Sequence, residues 1–382
     1  MIESMRFVHD TLPQRVCFGS GEAAANLRRE ITGLGASRVM LIGSKSGLRA
    51  ADEEITAGLP VALRYDEVVM HVPVEVAERA RAAAAEHDVD ALVSVGGGST
   101  TGLAKAIALT AGLPIVAVPT TYSGSEATPV WGLTEGARKT TGVDLRVLPK
   151  AIVYDAALTT SLPVELSVAS GLNALAHCVD AMWGPSADPI NAALAAEGIR
   201  SLAAGLPQVA ADPEGLDGRE HTLYAAYLSA AAFASAGSGL HHKICHVLGG
   251  AYNLPHAQTH ATVLPYVLAF NGPAAPDAER RIAAAFGAAT ALDGLLALKR
   301  QLDAPRALRD YGLAQDAIAA AADAILPSVP RPTRARLPRR TFARCSARPG
   351  RAPTRRPCFS ELSVLARSVS SRAQPMVTIA AE

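Results

Sequence analysis

The sequence predicts an α/β N-terminal domain built on a mainly parallel sheet, followed by an all-α C-terminal domain. Three observations carry this. Short apolar runs alternate with helical text over the first 158 residues. Two of those runs end in polar loops rich in glycine or threonine. From residue 159 onward strand-like alternation nearly disappears and helical periodicity takes over. A chain of 382 residues holds two domains of ordinary size. The expected limits are 1–158 and 159–326, with 327–382 an atypical Arg/Pro/Ser-rich tail.

The elements follow in order. Ser37–Ile42 (SRVMLI) reads as a buried strand, and Glu75–His87 as a helix. Ala91–Val95 (ALVSV) is a second strand that runs into Gly96, Gly97, Gly98 and Ser99, with a helix over Thr101–Thr110. Ile115–Val118 (IVAV) is a third, ending in Pro119, Thr120 and Thr121, and Ala151–Tyr154 (AIVY) a fourth. In such sheets ligands bind at the carboxyl ends of the strands. A glycine turn there lets the backbone approach a diphosphate, and the following helix offers free N–H groups and the positive end of its dipole. GGGSTTGLAKA is not the GxGxxG fingerprint, and such turns also occur without a ligand. A second polar loop, PTTYSGSE with Thr120, Thr121 and Ser125, ends the neighbouring strand. Two such loops side by side favour a dinucleotide. After the first strand the chain reads Gly43-Ser44-Lys45 with no acid before Asp52, so both NADH and NADPH are admitted.

In the second half, helical text covers Glu165–Met182, Pro189–Ala203, Arg219–Ser235, Gly237–Leu248 and several pieces of 273–326. Asn173 and His177 in GLNALAH are four apart, as are His242 and His246 in LHHKICHVLGGAYNLPH, so each pair shares a helix face. Gly249-Gly250 and Pro255 are expected to end the helix and return His256 toward that face. Five polar groups then converge on a metal site, or on a former metal site that holds an anion. A single His on an apolar face is more often a satisfied core residue. Burying this whole set without a ligand would leave unpaired nitrogens, at roughly 1–3 kcal/mol each. Cys178 and Cys245 read as small core residues.

No apolar run reaches the length of a membrane span, and MIESMRFVHD is not a signal peptide. Five scattered cysteines without CxxC spacing predict a reducing, cytoplasmic setting. The net charge of +1 hides an asymmetry: residues 1–326 hold 24 Lys+Arg against 33 Asp+Glu, a net of −9, while 331–356 hold ten arginines and no Asp, Glu or Lys. The tail reads as a nucleic-acid arm, a disordered extension or an out-of-frame stretch. Without aromatic interleaving or a binding fold around it, no nucleic-acid partner is expected.

GGGSTTGLAK, PTTYSGSEAT, GLNALAHCVDA and HHKICHVLGGAYNLPHAQTHA, in this order, resemble the iron-containing alcohol dehydrogenase family over about residues 7–325. The resemblance implies a dehydroquinate synthase-like architecture, an interdomain cleft and a homodimer. It places the family's metal ligands, one Asp and three His, on Asn173, His177, His242 and His256. His246 matches a family histidine near nicotinamide and substrate, and Gly102 replaces a family Asp. A neutral Asn oxygen in place of the carboxylate argues against a bound metal; Fe²⁺ or Zn²⁺ on three His is the alternative. Both departures match a branch that reduces 2-maleylacetate, a small dicarboxylate, to 3-oxoadipate with NADH or NADPH in aromatic-compound degradation. On that reading His246, then His256, is the proton donor. His177, His242 and Asn173, with Lys243 or His241, hold carboxylate and enolate oxygens. The rivals are a metal-dependent alcohol or polyol dehydrogenase and a dehydroquinate synthase-type lyase, which GLNALAH and HHKICH fit poorly.

Overall fold

The structure, a computed structural model, describes residues 5–328 except 46–47, 49–52 and 137. The tail beyond Ser328 therefore lies outside the described residues. The N-terminal lobe runs β1 (Arg15–Phe18), α1 (Ala23–Gly33), β2 (Val39–Ile42), α2 (Glu53–Thr56), β3 (Val61–Tyr65), α3 (Val74–Glu86), β4 (Ala91–Gly96), α4 (Gly98–Ala111), β5 (Ile115–Pro119), β6 (Val130–Glu135), β7 (Arg138–Val143) and β8 (Ala151–Tyr154). Six strands form one parallel sheet in the order β1-β8-β5-β4-β2-β3. The order reverses between β2 and β4, so the glycine turn after β4 lies beside the reversal.

Strands β2, β4, β5 and β8 are buried along their whole length, because helices cover both faces of the sheet. That is why they read as continuous apolar runs. The edge strands β1 (RVCF) and β3 (VALRY) bury only part of their surface and carry no such run. Neither was expected from the sequence, nor was the antiparallel hairpin β6–β7, which pairs Trp131 with Gly142 and Thr134 with Lys139.

The C-terminal lobe is helical: α5 (Val164–Ala181), α6 (Pro189–Ala211), α7 (Leu216–Ala236), α8 (Leu240–Tyr252), α9 (His256–Asn271), α10 (Pro276–Phe286), α11 (Ala291–Gln301) and α12 (Ile318–Ile325). Helix α5 is its axis. Every residue from Ser167 to Ala181 is buried, so α5 has no polar face to give away its orientation. Cys178 packs where α6 crosses; a Cβ on Gly198 would lie 2.7 Å from its sulfur.

Two expectations need correcting. Gly249 and Gly250 do not end α8. The helix continues to Tyr252 and stops at Asn253, whose φ of 51° is left-handed. Gly250 faces the hairpin, with Lys139 Cβ 3.8 Å from where a Cβ would stand, an ordinary contact. Second, Pro276–Gln301 has the length and mean hydropathy of a membrane span. A left-handed Gly287 divides it into α10 and α11, which place Ile282, Ala283, Leu295 and Leu298 in the core.

Arg219 joins the lobes. Fully buried, it donates to the carbonyls of Pro213 (2.9 Å), Leu162 (3.2 Å) and Thr159, and to Tyr122 Oη (3.3 Å) in the loop after β5.

Candidate active site

A cavity of about 480 Å³ opens between the lobes. The ends of β4 and β5 form its floor. Gly96 has φ 150°, where side chains are disfavoured. A Cβ on Gly97 would stand 3.0 Å from Thr121, and one on Gly98 3.2 Å from Ser123 Oγ. The loop after β5 thus packs directly onto the glycine turn. Of the expected cofactor residues, Gly98, Ser99, Thr121 and Ser125 line the cavity. Gly96, Gly97 and Thr120 shape the turn behind it, with Thr120 N donating to Gly96 O at 3.0 Å. Ser44, half-buried after β2, lies outside the lining.

A buried cation fixes this loop. Lys105, on α4, donates through Nζ to the carbonyls of Ser125 (2.6 Å), Thr128 (2.7 Å) and Val130 (2.8 Å). Burial lowers its pKa to about 7, opposed by the charge of Glu126. Glu126, raised by burial, accepts from Tyr154 Oη at 2.8 Å. The sequence held a signal for this, a lysine inside the apolar helix LAKAIAL.

The helical lobe supplies imidazoles. Asp180 Oδ2 accepts from His242 Nδ1 at 2.7 Å and from the His242 backbone N–H at 3.2 Å. Burial pushes the Asp180 carboxyl up, while the donors around it pull it down. With these N–H groups aimed at it we assign the carboxylate, which fixes the His242 proton on Nδ1 and leaves Nε2 as an acceptor. The His177 ring lies parallel to that of His242, centroids 4.9 Å apart, with Phe233 against both. His246 is 6.1 Å from His242 and 6.3 Å from His256. Asn173 Nδ2 donates to Ser123 O at 3.4 Å. All five expected groups therefore border one cavity.

His241 and Lys243 do not join them. His241 is fully buried behind the wall, its Nε2 2.9 Å from His260 Nδ1 and 3.6 Å from the Cys245 sulfur. Lys243 is half-buried on α8. Unforeseen residues enter instead: His71 and Lys139 line the cavity, and Asp180 and His260 back it. Asp180 stood one helical turn beyond His177, a spacing the sequence did show.

Electrostatically the imidazoles are neutral. Burial holds His177, His242, His256 and His260 well below the usual histidine range. Burial, then Lys139 and Lys243, lower His246 to about 4. In the free cavity His246 is therefore neutral at working pH and carries no extra proton to give.

Asn173 Oδ1, His177 Nδ1 and His242 Nε2 are buried without partners. Among the described residues lining the cavity there is no Asp or Glu, and Lys139 is the charged one. A divalent ion here would sit on neutral donors with no carboxylate among them, a weaker set than one that includes an Asp. The glycine turn and the N-terminus of α4 do fit a dinucleotide diphosphate.

The model of the iron-containing alcohol dehydrogenase family matches residues 13–156, and that of its C-terminal part matches 167–338. The chain belongs to the iron-containing alcohol dehydrogenase family. It is 44% identical to a maleylacetate reductase of Sphingobium indicum, over 83% of this chain and 90% of that one. Among solved structures, an iron-containing alcohol dehydrogenase from Corynebacterium glutamicum is 57% identical with TM-score 0.85, covering 98% of this chain and 100% of that one. The maleylacetate reductase from Agrobacterium tumefaciens is 40% identical with TM-score 0.80, covering 84% and 92%.

Proposed function

We propose that this oxidoreductase reduces 2-maleylacetate to 3-oxoadipate with NADH or NADPH, in the breakdown of aromatic compounds. The observation that carries it is the cavity's inventory: the imidazoles of His177, His242, His246 and His256 and a lysine, with no carboxylate among the described lining residues, facing a glycine turn. That wall suits a small dianion. Gly98, Ser99, Thr121 and Ser125 would hold the dinucleotide, and the residue at 44, which is not an acid, leaves NADPH admitted.

Once bound, the dihydronicotinamide supplies a hydride to the alkene carbon β to the ketone. Charge then gathers on the ketone oxygen as an enolate, and donors already in place stabilise it. The second N–H of the Asn173 amide, whose other N–H goes to Ser123, and an N–H of His177 would face that oxygen, while His242, with its proton on Nδ1, packs beside them and donates none. A bound dianion opposes the burial that keeps His246 neutral and draws a proton onto it. His246 then protonates the carbon α to the ketone, with His256 next in order. A homodimer in the cytoplasm completes the reading; the edge strand β1, with Val16 and Phe18 exposed, offers a surface for it.

The test is the absorbance at 340 nm with maleylacetate and each nucleotide, with and without chelator. Stoichiometric loss indifferent to chelator is expected. Loss of activity on chelation would favour the metal-dependent alcohol dehydrogenase, and reaction without nucleotide consumption a lyase.

A further inference from the structure

Two consecutive residues without glycine's freedom, His71 and Val72, take φ of 65° and 49° between β3 and α3. For a β-branched valine this is a real outlier, and such strain persists only where the surroundings enforce it. The hairpin enforces it here: Thr134 Oγ1 donates to His71 O at 2.8 Å, and Thr134 N to Val72 O at 3.1 Å. Val72 is buried, and its Cγ2 stands 3.0 Å from where a Cβ on Gly102 would be. The turn therefore fills the space a side chain at 102 would need, one turn into the helix that opens at the glycine turn.

The clamp places His71 in the cavity wall with Gly98, Ser99 and Gly102. Its Nε2 is closed to solvent and has no hydrogen-bond partner. Among the described residues it makes no ring contact with the imidazole cluster. It shares that wall with the N-terminus of α4 and lies near the charge of Lys139. Such a setting favours oxygen-rich, negative ligands.

Resting on the oxidoreductase reading above, we propose that His71 contacts the nucleotide. Its Nε2–H donates to an oxygen of the diphosphate–ribose portion of the bound cofactor, and the strained turn exists to aim it.

Calorimetric titration of the full chain with NADH and with ADP-ribose, which lacks the nicotinamide, tests this. His71→Ala should weaken both by about tenfold or more. The KM for NADH should rise in parallel and by more than the KM for maleylacetate. His71→Asn, which tolerates the left-handed backbone and keeps an N–H, should restore most of the affinity. His71→Gly relaxes the turn, so its Tm should match or exceed wild type while its affinity is as poor as that of His71→Ala. A purely structural role would instead lower Tm and affinity together. Unchanged affinity in His71→Ala overturns the proposal alone, as does a rise confined to the KM for maleylacetate. Wild-type protein that binds no nicotinamide nucleotide would overturn the oxidoreductase reading and this proposal with it.

Discussion

Asp180 lies beneath His242 and receives both its Nδ1–H, at 2.7 Å, and its backbone N–H. One buried carboxylate thereby fixes the position and the tautomer of an imidazole on the next helix, and dictates that Nε2 faces the ligand as an acceptor.

Replacing Asp180 with Asn removes the charge while keeping the shape. An amide oriented with its N–H₂ toward Nδ1 would move the imidazole proton to Nε2. Turnover should fall by about tenfold or more, with nucleotide affinity unchanged. Steady-state kinetics and nucleotide titration check both, and wild-type turnover would refute the tautomer assignment.

His246→Ala removes the proposed proton donor. The expected loss in turnover is about 10²-fold or more, with nucleotide binding nearly unaffected. An unchanged turnover number would remove His246 from the mechanism and leave His256 as donor.

Asn173→Asp restores a carboxylate to the imidazole set. Affinity for Zn²⁺ or Fe²⁺ should rise, and the KM for maleylacetate should rise about tenfold as the new charge repels a dianion. Metal analysis of the purified variant and its Michaelis constants decide it. No change in either would mean that Asn173 plays no electrostatic role.

The buried imidazoles also predict a response to acid. His246 has an unfolded-state pKa near 6.5 and a folded-state value of about 4; His241 falls to about 3. Between 6.5 and those values the unfolded chain binds more protons, so stability falls as pH falls through that window. Each such group contributes up to about 1.4 kcal/mol per pH unit. Urea midpoints at pH 7.5, 6 and 5 should drop in sequence, and a flat profile would show that the rings are not buried neutral.

Much of this was legible in the chain, for physical reasons. Strands covered on both faces need unbroken apolar text, and β2, β4, β5 and β8 show it. The paired spacings of Asn173 with His177 and His242 with His246 follow from helix geometry alone. The edge strands, half in water, left weaker marks. The hairpin left almost none, so Lys139 and the Thr134 clamp on His71 went unseen. Gly249-Gly250 was misread because glycine in a helix costs only about 1 kcal/mol each, which the burial of Ile244, Cys245 and Leu248 on the same helix outweighs. Helical spacing gave His241 and Lys243 the same neighbourhood as His242 and His246; only the rotation of α8 against α9 and the hairpin separates them.

Arg219 sets a constraint on traffic into this enzyme. Its guanidinium holds the carbonyls of Thr159 and Leu162, in the segment that connects the two halves, and reaches Tyr122 of the other half at 3.3 Å. That connection is therefore expected to stay rigid while reactants and products come and go, and the hairpin over 130–143 to open before it. Amide hydrogen exchange that opens faster at 130–143 than at 159–162 would bear this out, and the reverse order would point to a hinge.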